Sequence, residues 1–183
     1  MKSDLARFGR GFAYAWHGIL GAIREERNFR FHLCATIYAY GAAALAGFGL
    51  IEYALITLCV CGVMGMELMN SAVERAVHKP DTYHWWTAGA AKDMAAGAVL
   101  IVALGALGVG GCLFASGEPA AILRVWGALS ASPPAILAFL LSLVAAYFFI
   151  FHFGVKQNKK ENTETVGKNN DNEQDRQRRQ NQP

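Results

Sequence analysis

The amino-acid sequence predicts an all-α membrane protein: an N-terminal amphipathic surface helix, three core transmembrane helices plus a fourth, and a disordered C-terminal tail. Hydrophobic residues make up 54% of its 183 residues, a high share for a soluble domain. Its 17 Lys and Arg and 14 Asp and Glu residues gather towards the two ends of the chain. This distribution excludes an ordinary soluble domain. The net charge of +3 is too small to predict a nucleic-acid partner.

Residues 3–27 are expected to form a helix on the membrane surface. Large apolar residues recur there at steps of three or four, namely Leu5, Phe8, Phe12, Trp16, Ile19 and Ile23. Arg7, Arg10 and Arg24 lie mostly off this stripe, which is typical of an interfacial helix. One alternative is an amphipathic helix packed on a partner. An organelle transit peptide is another, and it is disfavoured because the pattern runs directly into an apolar span.

Four apolar stretches are each long enough to cross the hydrocarbon core of a bilayer, which needs about 20 helical residues. They cover residues 31–49, 53–73, 94–115 and 134–154. The short GLIE sequence between the first two predicts a tight hairpin. The connection 116–133 is only moderately polar and is expected to lie along the interface. Residues 155–183 hold almost no apolar residue, so they are expected to be disordered.

The basic residues predict the orientation of the chain. If four stretches cross the membrane, all but Arg124 of the 17 Lys and Arg residues lie on the side that holds both termini. Positively charged loops stay in the cytoplasm. Both termini are therefore expected there, and the connection 116–133 is expected on the periplasmic or extracellular side. The same uneven split supports the count of four spans.

The stretch MELMNSAVE, residues 66–74, places polar residues at the end of an apolar run. Glu67, Asn70 and Glu74 are spaced i, i+3 and i+7, so they share one helix face. A charged side chain near bilayer depth costs about 2.5 kcal/mol or more, and its presence indicates a function. Glu67 has apolar residues on both sides and meets this criterion. Glu74, taken alone, is equally compatible with the wet end of a helix.

Two further segments bring charge to the same predicted membrane face. Glu25 and Glu26 precede the first span, and Lys92 and Asp93 open the third. Mg²⁺ prefers one or two carboxylates and takes its other ligands from phosphate and water. A lysine at the start of a helix can hold phosphate. These residues predict phosphoryl transfer from a magnesium–nucleotide complex, and no GxxxxGK[ST] stretch is present to form a P-loop.

Four pieces of the sequence resemble the bacterial integral-membrane diacylglycerol kinase/undecaprenol kinase family. They are EERNFRFH at 25–32, MELMNSAVE at 66–74, YH at 83–84 and AAKDMAAGAV at 90–99. The resemblance implies a kinase core over residues 1–115 that uses ATP and Mg²⁺ to phosphorylate the hydroxyl of a membrane lipid. It also implies location in the bacterial inner membrane and a homotrimer whose active sites are shared between subunits.

The resemblance further implies roles for individual residues. Glu67 matches the catalytic base proposed for the family, and Glu26 and Glu74 match its metal ligands. The implied nucleotide contacts are Arg7, Tyr14, Glu26, Glu74, Tyr83, His84, Lys92 and Asp93. The implied contacts with the lipid substrate are Arg7, Trp16, Glu67 and Asn70.

Three features depart from the family pattern. His78 stands where the family usually has an aspartate, the loop 84–92 is one residue longer, and the stretch 134–154 is an extra helix. EERNFRFH is more similar to the undecaprenol kinases, so undecaprenol is the favoured substrate. Diacylglycerol, which would yield phosphatidic acid, is the alternative. Outside the kinase class, a small membrane transporter or a non-catalytic scaffold stays open.

Overall fold

The computed structural model describes residues 2–77, 85–117 and 119–154 and folds them into six helices. Their bounds are α1 Lys2–Glu25, α2 Arg27–Ala46, α3 Leu50–Val77, α4 Trp85–Ala115, α5 Ala121–Ser130 and α6 Pro133–His152. Every element within these ranges is helical, which confirms the all-α prediction. The predicted disordered tail, 155–183, lies outside the described residues.

Three helices in the described part of the chain are long and apolar enough to cross a membrane, judged by length and composition. They are Leu50–Val77, Ala88–Ala115 and Pro133–His152. These helices contain the second and third predicted spans and nearly all of the fourth. The membrane class predicted from composition is therefore confirmed.

The first predicted span, 31–49, corresponds to α2, which is not among those three helices. Its composition explains the difference, because Arg30, His32 and Tyr38 lower the average hydropathy of this 20-residue helix. Residues 47–49 alone join α2 to α3, and such a short connection obliges two helices to run antiparallel. If α3 crosses the bilayer, α2 therefore runs back beside it through the same depth. The count of four crossings rests on this pairing and stays a prediction.

The connection between α2 and α3 is fixed by backbone hydrogen bonds. Gly47 has a left-handed backbone with φ 67° and ends α2 as a glycine cap. The N–H of Phe48 donates to the Ala43 carbonyl at 3.1 Å, which satisfies a carbonyl left open by the end of the helix. At the start of α3, Glu52 Oε2 accepts from the Gly49 N–H at 2.9 Å, as in a capping box. The predicted tight hairpin is present and begins slightly earlier in the chain than expected.

The helices α5 and α6 pack back on α2. Ala121 of α5 is buried against Ala46 at the end of α2. α6 runs beside α2, where the Tyr38 and Phe139 rings meet edge-on at 6.1 Å between centres. The Tyr38 hydroxyl also donates to Ser142 Oγ at 3.2 Å. The predicted outer connection therefore contains a short helix, and the fourth predicted span docks on the first.

Most of α1 is not covered by the other described helices. It ends at Glu25, two residues before the predicted end, because Glu26 has an extended backbone with φ −99° and ψ 113°. Residues 7–18 are exposed throughout, whereas Ala22 near the end of the helix is buried. The aromatic stripe is thus uncovered, with Trp16 60% exposed. This is compatible with a place on the membrane surface, which stays a prediction.

Replacement of Gly47 by alanine tests the hairpin. Alanine is strained in a left-handed backbone, so we expect Gly47→Ala to lower the free energy of unfolding by about 1 kcal/mol. Gly41→Ala is the matched control, because Gly41 lies inside α2 and no described atom is within 4 Å of the position its Cβ would take. Alanine should be neutral or stabilising there. Reversible unfolding in mixed detergent micelles measures both variants, and equal stability would contradict the strain.

Candidate active site

A buried carboxylate lies in the last third of α3. Glu67 is only 3% exposed, and Asn70 and Ser71 in the next turn are buried as well. Helical spacing puts the three side chains on one face. Asn70 Oδ1 accepts no hydrogen bond from the described residues. A buried acceptor without a partner is costly, so a water molecule or a ligand is expected to donate to it.

Two more carboxylates lie near Glu67. Those of Glu26 and Glu74 are both close enough for their charges to act on it. Glu74 is on the same helix, whereas Glu26 is the residue that links α1 to α2. The Glu26 N–H donates to the Ala22 carbonyl at 2.9 Å, and the Glu26 carbonyl accepts from the Arg30 N–H at 3.2 Å. The change of direction at Glu26 thus brings a carboxylate from another segment to α3.

Two cations pair with the carboxylates that lie around Glu67 and are partly exposed, here called the outer carboxylates: Glu25, Glu26 and Glu74. Arg75 Nη2 lies 2.9 Å from Glu25 Oε2 and 2.9 Å from Glu26 Oε1. Lys92 Nζ of α4 lies 3.5 Å from Glu74 Oε1. These contacts join the α1–α2 junction, α3 and α4 at one end of the bundle. All of these side chains are partly exposed, and exposed ion pairs contribute about 1 kcal/mol or less, so a ligand can exchange with them at small cost.

The carboxylates fit a metal ion that takes some of its ligands from elsewhere. Within residues 2–77, 85–117 and 119–154, no group of three or more His, Cys, Asp or Glu side chains is arranged to hold a metal ion by itself. The carboxylates of Glu26 and Glu74 are partly accessible. Two such groups suit Mg²⁺, which keeps water and phosphate among its ligands. The donor set fits Mg²⁺ bound together with a phosphate.

An apolar groove leads towards Glu67. It lies between α2, α3 and α4, has a volume of about 560 Å³, and is lined in part by Phe31, Ile56, Val63 and Ala106. Val63 is one turn before Glu67 on the same face of α3. The groove therefore approaches the buried carboxylate from the apolar part of the bundle. A concave site of this composition suits a hydrocarbon chain.

The structure brings together several of the residues predicted for the site. Those at one end of the bundle are Glu26, Glu67, Asn70, Glu74 and Lys92. Asp93 follows Lys92 in α4 and is exposed. The predicted contacts Tyr83 and His84, and the departure at His78, lie outside the described residues.

Three predicted residues of α1 lie away from this group. Arg7, Tyr14 and Trp16 are exposed. At a rise of about 1.5 Å per residue they stand roughly 14–27 Å along the helix from Glu25. Within one chain they do not reach the carboxylates.

Two arginines at this end of the bundle were not predicted as site residues. Arg75 pairs with Glu25 and Glu26, and Arg30 is 4% exposed at the start of α2. Each gives a signal in the sequence, because Arg75 directly follows the last glutamate of MELMNSAVE and Arg30 stands one turn after Glu26, between two phenylalanines. Such a signal indicates a paired charge but not its partner, which lies on another helix.

Comparison with known proteins confirms the family resemblance. The family model described as prokaryotic diacylglycerol kinase matches residues 13–114. The chain is 43% identical over 104 residues to the diacylglycerol kinase of Synechocystis sp.. That alignment covers 56% of this chain and 59% of the Synechocystis protein. It is 38% identical over 103 residues to the undecaprenol kinase of Bacillus subtilis, and that alignment covers 56% of this chain and 84% of the Bacillus protein. It is 32% identical over 99 residues to the diacylglycerol kinase of Escherichia coli K12, and that alignment covers 54% of this chain and 81% of the Escherichia protein.

No solved structure matches the chain. The alignment spans little more than half of the Synechocystis protein's length, and most of the length of the Bacillus and Escherichia proteins. The residues matched by the family model include α2, α3 and nearly all of α4. They also include the three carboxylates of the site, those of Glu26, Glu67 and Glu74. Because the match covers more than half of the 183 residues, this chain belongs to the prokaryotic diacylglycerol kinase family.

Proposed function

We propose that this protein is a lipid kinase that transfers the terminal phosphoryl group of ATP to the hydroxyl of a membrane lipid at the cytoplasmic interface. The observation that carries the proposal is the buried Glu67. It lies one turn beyond Val63, which lines an apolar groove, and near the carboxylates of Glu26 and Glu74, the latter paired with Lys92. The names of the relatives, diacylglycerol kinases and an undecaprenol kinase, support the same class of reaction. The proposed location is the bacterial inner membrane, with both termini in the cytoplasm.

The acceptor lipid would reach Glu67 from the groove, while its hydrocarbon chain stays in the apolar part of the bundle. Asn70 Oδ1 would accept a hydrogen bond from the lipid hydroxyl and orient it. Glu67 would then take the hydroxyl proton as the oxygen attacks the terminal phosphorus of ATP, and ADP leaves with the bridging oxygen. A positioned base of this kind contributes about 100-fold to 10,000-fold in rate.

The donor side uses the outer carboxylates and Lys92. Glu26 and Glu74 would hold Mg²⁺ against the phosphates of ATP, where the ion neutralises charge on the transferred group. Lys92 Nζ, which lies 3.5 Å from Glu74 Oε1, would turn to a phosphate oxygen. Arg75 would release Glu26 in the same exchange. Because both ion pairs are exposed, each exchange costs about 1 kcal/mol or less.

The remaining contacts are proposed from the family resemblance. Those with the nucleotide are Arg7, Tyr14, Tyr83, His84 and Asp93, and those with the lipid include Arg7 and Trp16. The three residues of α1 lie too far along the helix to reach the carboxylates of their own chain. In the proposed homotrimer with shared active sites, they would serve the site of a neighbouring subunit.

Undecaprenol is the proposed substrate, with diacylglycerol as the alternative. Both present one hydroxyl at the end of an apolar body, and an apolar groove accepts either. The preference for undecaprenol rests on the similarity of EERNFRFH, residues 25–32, to the undecaprenol kinases.

Glu67→Gln tests the base, because glutamine keeps the size of the side chain but does not accept the proton. We expect turnover to fall by roughly 100-fold or more, with ATP binding nearly unchanged. Phosphate transfer from radiolabelled ATP in lipid–detergent micelles measures turnover. Glu52→Gln is the control, because it makes the same change at the other end of α3 and its amide oxygen can still accept from Gly49. If Glu67→Gln turned over at the rate of the parent protein, Glu67 would not be the catalytic base.

Glu26→Gln tests the metal site by removing one charged ligand. We expect the dissociation constant of Mn²⁺, which stands in for Mg²⁺ in electron paramagnetic resonance, to rise by at least about tenfold. Glu25→Gln is the matched control, because Glu25 pairs with the same Arg75 but is not a proposed ligand. If the two variants lost equal affinity for Mn²⁺, Glu26 would have no special role in binding the metal.

A substrate comparison tests both the reaction and the lipid. Undecaprenol and diacylglycerol are offered separately to the purified protein with radiolabelled ATP, with and without Mg²⁺. We expect label on undecaprenol and only in the presence of Mg²⁺. Label on diacylglycerol alone would reverse the choice of substrate. No label on either lipid, in protein shown to be folded, would favour a membrane transporter or scaffold.

A further inference from the structure

Arg30 is a buried arginine with no part in the proposed reaction. It lies in the first turns of α2 and is 4% exposed. Its Nη1 donates to the carbonyls of Ile23 and Arg24 at 3.1 and 3.0 Å. Its Nε and Nη2 both donate to the carbonyl of Ile150, at 3.1 and 3.0 Å. One guanidinium therefore joins the end of α1 to the last turn of α6.

These carbonyls are ones that a helix end leaves without a partner. In an uninterrupted helix those of Ile23 and Arg24 would accept from N–H groups four residues further on, but α1 ends at Glu25. Ile150 is among the last four residues of α6, whose carbonyls likewise have no partner inside the helix. The helix dipole favours a positive charge at such an end. Arg30 has five N–H donors on one planar group, so it can cap both helices at once.

A glycine allows α6 to come this close. A Cβ at Gly154 would lie 2.6 Å from the Arg24 carbonyl oxygen and 2.9 Å from Arg30 Nη1, well inside normal contact distance. A second contact supports the same approach, because the Arg27 guanidinium carbon lies 5.7 Å from the centre of the Phe151 ring. This is within the range of a cation–π interaction.

Arg30 contacts the backbone on both sides of Glu26. The Arg30 N–H donates to the Glu26 carbonyl at 3.2 Å, and the Arg30 side chain holds the carbonyls of α1 that precede Glu26. The backbone of Glu26 is therefore held from both sides. Its carboxylate acts on the charge of Glu67 and binds Arg75. A looser junction between α1 and α2 would displace this carboxylate from α3.

We propose that Arg30 is a positioning residue through which α6 acts as a brace, holding Glu26 in place for the metal site. The inference rests on the proposed function for the role of Glu26. The brace belongs to the part of this chain beyond the family match, because α6 lies outside residues 13–114. The extra helix thus supports the site from outside the matched region.

Two substitutions break the brace in different ways. Arg30→Lys keeps the positive charge, but a single ammonium does not bridge carbonyls of two helices as the planar guanidinium does. Gly154→Ala leaves Arg30 intact and forces the end of α6 away from it. Gly127→Ala in α5 is the matched control, because no described atom lies within 4 Å of the position its Cβ would take.

Two measurements on the full-length protein in lipid nanodiscs test the brace. Hydrogen–deuterium exchange of residues 22–30 reports the α1–α2 junction without any need for activity. Mn²⁺ titration followed by electron paramagnetic resonance reports the metal site. For Arg30→Lys and Gly154→Ala we expect faster exchange at 22–30 and a Mn²⁺ dissociation constant raised by roughly tenfold, with the KM for lipid unchanged. Gly127→Ala should behave as the parent protein does.

The outcomes separate the brace from the proposed function. Parental exchange and Mn²⁺ binding in folded Gly154→Ala would overturn the brace, even if Arg30→Lys failed to fold. Faster exchange with parental Mn²⁺ binding would overturn the coupling to Glu26. A parent protein that bound no Mn²⁺ and phosphorylated no lipid would contradict the proposed function, and the exchange experiment would still decide whether α6 holds the junction.

Discussion

Glu67 carries a carboxylate on the inner face of a helix that is otherwise apolar enough to cross a membrane, and the neighbouring charges are arranged around that placement. A charge at such depth is unfavourable unless it is paired or used. Glu26 and Glu74 raise the electrostatic cost of a charge on Glu67, because their own negative charges repel it. Two cations, Arg75 and Lys92, pair with the outer carboxylates of Glu26 and Glu74. In the proposed reaction, Glu67 would thereby stay available to the lipid hydroxyl.

The helices α2, α3 and α4 carry most of their charged residues at one end of the bundle. α1 and α2 meet at Glu26, and α3 and α4 bring Glu74 and Lys92 to the same level. The opposite end is held by the turn at Gly47 and by the packing of α5 on Ala46. In the proposed reaction, a phosphate donor would approach from water, and the hydrocarbon chain of the lipid would lie between the helices. This separation suits a reaction between a nucleotide and a lipid.

Helical periodicity is sufficient to predict the part of the site that lies on one helix. Glu67 and Asn70 share a face because the α-helix repeats every 3.6 residues, and apolar length predicts the three helices that fit a membrane. The pairing of Arg75 with Glu26 depends on the angle between α1 and α2, which residue spacing does not contain. The partners of Arg30 are hidden for the same reason, since they are backbone carbonyls on two other helices. α2 is not among the helices apolar enough to cross a membrane because it holds Arg27, Arg30 and His32, so its predicted crossing depends on its pairing with α3.

The pairing of two outer carboxylates, those of Glu26 and Glu74, gives a reason why the proposed site would use a metal ion together with its nucleotide. Glu26 and Glu74, the proposed metal ligands, are each paired with one cation, Arg75 and Lys92 respectively. ATP alone would bring negatively charged phosphates close to these carboxylates and to that of Glu67. Lys92 can turn to the phosphates only if something else neutralises Glu74, and Mg²⁺ bound with the phosphates meets both needs.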